Sequence, residues 1–260
     1  MQTAEAQRTF ERTGILRLPD AFTRDQAAAM VDTVWRFIER KTEFRRNDPA
    51  TWSERLGLSF KSLKRNPVFA PLVDNAAVLH ALDVVFGPGG AEAPKPGAQV
   101  LLTFPSPPPW QLPHRSWHMD CGFDRPTWPT FAVKLFACIG EVRPEGGATL
   151  ALAGSHRLVE RYASTLAPTE HGGNQVAWGR FMKQDPWLHE INKPGPEPER
   201  TRRLLGTTHE VDGVPIQVVE MAGQPGDVYI THMHVFHSGA PNVNDQPRLM
   251  VGKGIGAGGE

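Results

Sequence analysis

His118-Met119-Asp120 places an imidazole and a carboxylate two positions apart, and His237 and Arg248 follow far along the chain. Two imidazoles and one carboxylate are the donor set that holds Fe(II) on one face and leaves the opposite face open, where oxygen chemistry happens. On a strand, side chains at i and i+2 point the same way, so His118 and Asp120 are expected to reach one ion from a strand. The third ligand must come from elsewhere. His237 ends a strand-like run from Gly226 and precedes a Ser-Gly-Ala-Pro-Asn turn, which makes it the best candidate.

A metal site alone does not need a cation, so Arg248 calls for its own explanation. If the loop is symmetric about Asn242 and Val243, residues 237 and 248 are cross-strand neighbours with Cβ atoms roughly 5 Å apart. A guanidinium there would grip a carboxylate bidentately. An α-keto acid with a second carboxylate fits: one end would chelate iron and the other would meet Arg248. That molecule is 2-oxoglutarate, so the expected set is Fe(II), 2-oxoglutarate and O2.

Each residue also has a plainer reading. An isolated His-x-Asp is usually a surface turn; the ordered company of His237, Arg248 and Gly154-Ser155-His156 favours the metal. His232 and His234 lie an odd number of residues before His237, so on a regular strand they face the other way and pack or brace. His156 is expected to brace a turn, His114 to line an entrance, and Asp227 to serve a turn. Cys121 is expected to face away from the metal as a small buried hydrophobe. Trp117 and Trp128 line the pocket or fill core. Arg200, Arg202 and Arg203 read as a solvated face.

The elements that must position these groups fall into two styles. The first 90 or so residues read mainly as helix. Thr23 and Gln26 have capping-box spacing, and Ala27, Met30, Val31, Val34, Phe37 and Ile38 recur at helical period to about Arg40. A further helix over Asn75 to Phe86 is expected to bury Val78, Leu79, Leu82 and Val85 and to stop at Gly87. Gly14 to Leu18 reads as a short strand ended by Pro19. From Gln99 the chain turns to short apolar runs: 99–104, 131–139, 149–152, 216–220, 228–231, 234–238 and 248–253. Such runs between Pro and Gly clusters suggest an antiparallel sandwich or barrel. Residues 157–215 interrupt them and are expected to hold helices and act as a lid. The Pro105 to Pro109 and 193–203 stretches read as loops.

Composition narrows the class. The 260 residues carry 28 basic and 28 acidic side chains, which gives none of the basic surplus of a nucleic-acid binder. With 40% hydrophobic and 22% charged residues the chain is of ordinary soluble type. Its two cysteines, Cys121 and Cys138, do not make a secreted disulfide scaffold. No apolar run approaches the ~18 residues of a membrane span, and Met1 to Phe10 lacks an apolar signal core, so the cytoplasm is the default. One domain over 1–260 is expected, with 1–95 as a helical flank, 96–156 and 216–256 as barrel strands, and 157–215 inserted. The oligomeric state is not readable.

Four segments resemble the phytanoyl-CoA dioxygenase family of Fe(II)/2-oxoglutarate oxygenases. They are Phe10 to Pro19, Trp117-His-Met-Asp120, Pro144-Glu-Gly-Gly through Gly154-Ser-His156, and Gly226-Asp227 through His237, Asn242 and Arg248. The resemblance implies a mainly β double-stranded β-helix, a cupin-like jelly roll with flanking helices. It implies His118, Asp120 and His237 as iron ligands and catalytic residues, and Arg248 as the cosubstrate's partner. Gln99, Thr103, Ser238 and Phe136 are further cosubstrate candidates, with Lys61 and Lys64 behind them. The chain departs from the family pattern at Phe136, where a Trp is common, at Gly239, where a Ser is usual, and at Ala153, where a Pro is usual. The implied reaction is hydroxylation, desaturation or cyclisation of a small molecule, coupled to decarboxylation of 2-oxoglutarate. Asp120 excludes halogenation, since related halogenases lack the carboxylate. A cupin-like isomerase or cosubstrate-free dioxygenase would not require Arg248. A non-catalytic binding protein on the same fold would not require the intact triad.

Overall fold

The computed structural model describes residues 3–258 apart from 55, 115, 171, 173, 174, 196 and 197. After helix α1 (Thr3–Thr13), strand β1 (Ile15–Leu18) leads to α2 (Arg24–Lys41) and α3 (Ala76–Phe86). The strands that follow are β2 (Gln99–Thr103), β3 (Ala132–Cys138) and β4 (Thr149–Ala153). Helices α4 (Ser155–Ala163), α5 (Gln175–Phe181), α6 (Pro186–Ile191) and α7 (Pro198–Leu204) come next. The chain closes with β5 (Thr208–Val211), β6 (Val214–Glu220), β7 (Val228–His232), β8 (His237–Gly239) and β9 (Arg248–Gly256).

All named strand pairs are antiparallel, in the orders β1-β7-β3-β9-β2 and β5-β6-β4-β8. These are the two facing sheets of a jelly roll. The period of two decides what each face meets. Val133, Leu135 and Ala137 of β3, with Leu249 and Val251 of β9, join a core with Met30, Val34, Ile38, Val78 and Leu82 of the helices. Phe136, Cys138 and Met250, from the alternate positions, pack inward with Ala151 and Ala153 of the opposite sheet. Each such fully buried large side chain contributes about 1.5–3 kcal/mol. The larger sheet is therefore clamped from both sides, which gives a rigid wall on which to mount a site.

The helical layer is capped as the sequence signals. Thr23 accepts from Gln26 N–H while Gln26 reaches back to Thr23 N–H, a full capping box worth about 1 kcal/mol. Gly87, at φ +85, ends α3. On α3 the buried set is Val78, Ala81 and Leu82, whereas Leu79 is exposed. The buried stripe runs through 78, 81 and 82, so Leu79, expected inside, faces solvent, and Val85 is half-buried. Helix α1 buries only Ala6 and Phe10, too few apolar positions to show a period in the sequence. The 157–215 stretch holds the short helices α4 to α7, and β5 and the start of β6 fall at its end. Within it Arg200 is not a solvated cation. It is 5% exposed and donates to the carbonyls of Glu190, Lys193 and Gly195, tying the short helices together.

Candidate metal centre

His118 and His237 meet in an isolated antiparallel bridge. His118 N–H donates to the His237 carbonyl at 3.0 Å, and His237 N–H returns to the His118 carbonyl at 2.9 Å. That pairing sets the two rings side by side, with centroids 4.4 Å apart. Asp120 lies in the bend just after the bridge, not on a regular strand as the i, i+2 reasoning supposed. The bend still turns its carboxylate toward the rings. One ligand atom from each of His118, Asp120 and His237 lies within 4.8 Å of the others.

The imidazoles are oriented for a metal. His118 Nδ1 is 2.8 Å from the Ser116 carbonyl, and His237 Nδ1 is 3.1 Å from the Val235 carbonyl. A carbonyl can only accept, so both Nδ1 atoms carry the proton and both Nε2 lone pairs are left to coordinate. Burial pushes the pKa of His237 down to about 4, so it is a neutral imidazole at physiological pH, the form that a metal would require. Burial alone would raise the Asp120 carboxyl, but His237 and Lys134 hold it below the usual range. Lys134 Nζ is 3.1 Å from Asp120 Oδ2, and His237 Nε2 is 3.7 Å from the same oxygen. Phe136 packs edge-on against the His237 ring at 5.3 Å, and Trp178 of α5 lies 5.7 Å from the His118 ring.

Arg248 comes to this place by a different route from the one expected. Residues 237 and 248 are not hairpin neighbours. β8 pairs with β4 in one sheet and β9 with β2 and β3 in the other, because residues 240–247 cross between the sheets. The guanidinium therefore reaches across the barrel. Its Nη2 lies 4.0 Å from the position a Cβ on Gly239 would take. Gly239 is two residues beyond His237 on the same face of β8, about 7 Å along the strand. Arg248 is 5% exposed, donating Nε to Gly147 O at 2.6 Å and Nη1 to Leu101 O at 3.0 Å. Among the described residues no carboxylate pairs with it. Burial pushes its pKa down to about 10, so it still carries its charge at neutral pH.

The other candidates divide. Thr103 is Arg248's direct partner in the β2–β9 register. Gln99 lies farther along β2, opposite Gly252, at the exposed mouth. Ser238 is one position off the His237 face, and its Oγ is 2.6 Å from Ser116 Oγ, away from Arg248. Lys64 lines the same cavity as Gln99 and Lys134, whereas Lys61 does not. The sequence assigns Lys134 no role and places Trp178 only within the 157–215 lid stretch. A lysine at an inward position of the otherwise apolar 131–139 run was the available signal for the first; nothing local marked the second.

His156, His232 and His234 form a separate buried group, with neighbouring ring centroids 5.2 and 5.3 Å apart. His156 Nε2 meets the Glu11 carbonyl at 3.1 Å, so it braces α1. Asp227 is buried at the turn before β7, where it accepts from Arg17 at 2.8 Å and from the backbone of Asp20 and Gln224. Cys121 Sγ is 3.5 Å from the Met233 carbonyl. Among the described residues no helix is long and apolar enough to cross a membrane.

Solved structures share the fold at low identity. AviO1 from Streptomyces viridochromogenes Tue57 superposes with a TM-score of 0.56 at 18% identity, covering 98% of this chain and 95% of that one. The non-heme alpha ketoglutarate dependent epimerase SnoN from nogalamycin biosynthesis gives 0.52 at 15% identity, covering 97% and 81%. SnoN in complex with Fe3+, alpha ketoglutarate and nogalamycin RO gives 0.53 at 17%, covering 98% and 83%. No curated protein matches the sequence. The family model for phytanoyl-CoA dioxygenase (PhyH) matches residues 10–250, a span that holds every strand up to the start of β9, the His118–Asp120–His237 cluster and Arg248, and the chain therefore belongs to the phytanoyl-CoA dioxygenase family.

Proposed function

We propose that this protein is an Fe(II)- and 2-oxoglutarate-dependent oxygenase of a small molecule. His118, Asp120 and His237 would hold the iron, and Arg248 the far carboxylate of 2-oxoglutarate. The observation that carries the cosubstrate is Arg248: a buried guanidinium with no acidic partner among the described residues, one strand step from the metal-ligand face. Burying an unpaired charge is costly, and an anionic ligand is what offsets that cost. The donor set fits iron, with two freed imidazole Nε2 atoms and one carboxylate. A neighbour of the same fold that holds Fe3+ and alpha ketoglutarate agrees with this reading.

Bound iron and 2-oxoglutarate supply the oxidising power: 2-oxoglutarate and O2 give succinate and CO2, and the second oxygen atom oxidises the substrate. The chain's own residues position and shield. The Ser116 and Val235 carbonyls fix the imidazole tautomers, and Phe136 limits rotation of the His237 ring. Lys134 steadies the Asp120 oxygen that faces it, and Trp178 covers His118 from the inserted helices. Thr103, beside Arg248, and Gln99, at the mouth, are the remaining polar groups on the inner face of β2. Iron-dependent release of succinate from 2-oxoglutarate in air tests the proposal. Succinate formed by the wild type and lost in Arg248→Ala supports it; iron-loaded protein that leaves 2-oxoglutarate intact contradicts it.

A further inference from the structure

We propose that a basic cavity, which shares Lys134 with the metal cluster, binds a phosphoryl group of the substrate, so that the molecule oxidised is a phosphate-bearing compound. The proposal rests on the oxygenase reading for where the oxidised carbon lies. The cavity, of about 690 Å³, is lined by Lys64, Arg65, Lys95, Gln99, Lys134 and Lys253. The chain as a whole has a formal charge of zero, so five cations around one hollow are a local concentration.

The fold builds this hollow. Gly252 and Gly254 occupy successive inward positions of β9 and line it. A Cβ on Gly254 would meet nothing within 4 Å, and one on Gly252 would lie 3.2 Å from Lys134 Cε and 3.3 Å from Leu101 Cδ1. Side chains there would fill the space that the glycines leave. On the rim, Ala98 N–H donates to the Lys64 carbonyl at 2.9 Å, which draws the Lys64–Arg65 turn against the start of β2. Gly97, at φ +121, permits that approach, since a Cβ there would collide with the Lys64 carbonyl oxygen.

The charges match a phosphoryl group better than a carboxylate. Among the described residues Lys64, Arg65, Lys95 and Lys253 form no ion pair. Lys253 stands at an outward position of β9, opposite Leu135, so it approaches the rim from the face opposite Lys134; burial lowers its pKa, with Glu92 pulling the other way and Lys64 and Lys95 close by. Setting Glu92 against one of them still leaves several uncompensated. A single carboxylate supplies one charge; a phosphate ester supplies about two, with three acceptor oxygens. Lysines suit such a group as mobile point charges. Lys134 links the cavity to the site: it is both a wall of the cavity and 3.1 Å from Asp120.

Calorimetric titration of the metal-free protein with inorganic phosphate, and with acetate for comparison, tests this. Saturable phosphate binding is expected, with acetate weaker. Affinity should fall roughly tenfold or more in the Lys64→Gln/Lys253→Gln double variant. It should fall similarly in Gly254→Leu, which fills the space without removing a charge, and hold in Lys183→Gln, whose cation lines a separate cavity. Phosphate that does not saturate, acetate that binds as well, or affinity that survives both cavity variants in folded protein overturns the proposal. In the anaerobic Fe(II)-loaded protein, bound phosphate should show accelerated phosphorus-31 relaxation; its absence overturns the placement beside the metal. The calorimetry uses neither iron nor 2-oxoglutarate, so it stands apart from the oxygenase reading.

Discussion

Two groups of histidines have opposite characters, although His237 of one and His232 and His234 of the other lie within five residues and are all buried. His237 and His118 each spend Nδ1 on the carbonyl two residues before them and turn Nε2 toward Asp120. His232 spends both nitrogens internally: Nδ1 accepts from His234 N–H at 3.1 Å, and Nε2 donates to the Thr127 carbonyl at 3.0 Å. His234 Nδ1 is 3.4 Å from Thr127 Oγ1, and His156 binds the Glu11 carbonyl. The first pair has a carboxylate and free lone pairs; the second group is packed among Phe10, Trp128 and Phe131. His237 is as buried as the second group, so neither burial nor residue type by itself makes a ligand. What separates the groups is where the second nitrogen points and whether a carboxylate faces it.

The largest expected effect breaks the first group. His237→Ala should lower Fe(II) affinity, read by chelator competition, by more than the roughly 10–100-fold that losing an outer partner costs. His234→Ala should leave it nearly unchanged; equal losses in both would erase the distinction. The second group should show itself in acid. Burial pushes His232 down to about 3 and His156 and His234 to about 4, against an ordinary 6.5. The unfolded chain then binds more protons than the folded one between those values, so stability rises with pH and is lost as pH falls through that window. Down to pH ~5 the loss is of the order of 2 kcal/mol per imidazole at most. Urea unfolding between pH ~7 and ~5 should show it, and a flat profile would contradict the neutral packing of the trio.

Next in size, Arg248→Ala should weaken 2-oxoglutarate binding by about 1.5–3 kcal/mol while iron affinity holds. Arg248→Lys should restore little of it, because an ammonium lacks the planar fork. Equilibrium dialysis with both variants separates the outcomes; unchanged affinity would remove the residue from the site. The smallest effect is expected at Lys134→Met. It leaves Asp120 without its 3.1 Å partner and should lower Fe(II) affinity by about tenfold or less. A loss as large as that of His237→Ala would mean that Lys134 shapes the site more deeply than one ion pair.

Much of this was legible in the sequence because it is local. The capping box at Thr23, the stop at Gly87 and the apolar strands carry their own signals. The long-range geometry did not. Spacing suggested a hairpin between His237 and Arg248, yet residues 240–247 cross between sheets and Arg248 meets the site from the opposite wall. A loop's length does not tell a hairpin from a crossing. The short helices of 157–215 have too few turns for a hydrophobic period, so the approach of Trp178 to His118 could not be read. Lys134 was visible only as one charge among apolar neighbours, and its meaning depends on Asp120 folding over it.

The central claim, a triad that holds iron with Arg248 one step away to hold the cosubstrate, is tested most directly by anaerobic titration with Fe(II) and 2-oxoglutarate. The account predicts a weak visible charge-transfer band that saturates at one 2-oxoglutarate per iron, is absent in His237→Ala, and needs more 2-oxoglutarate in Arg248→Ala. Iron that binds while 2-oxoglutarate produces no band would contradict it.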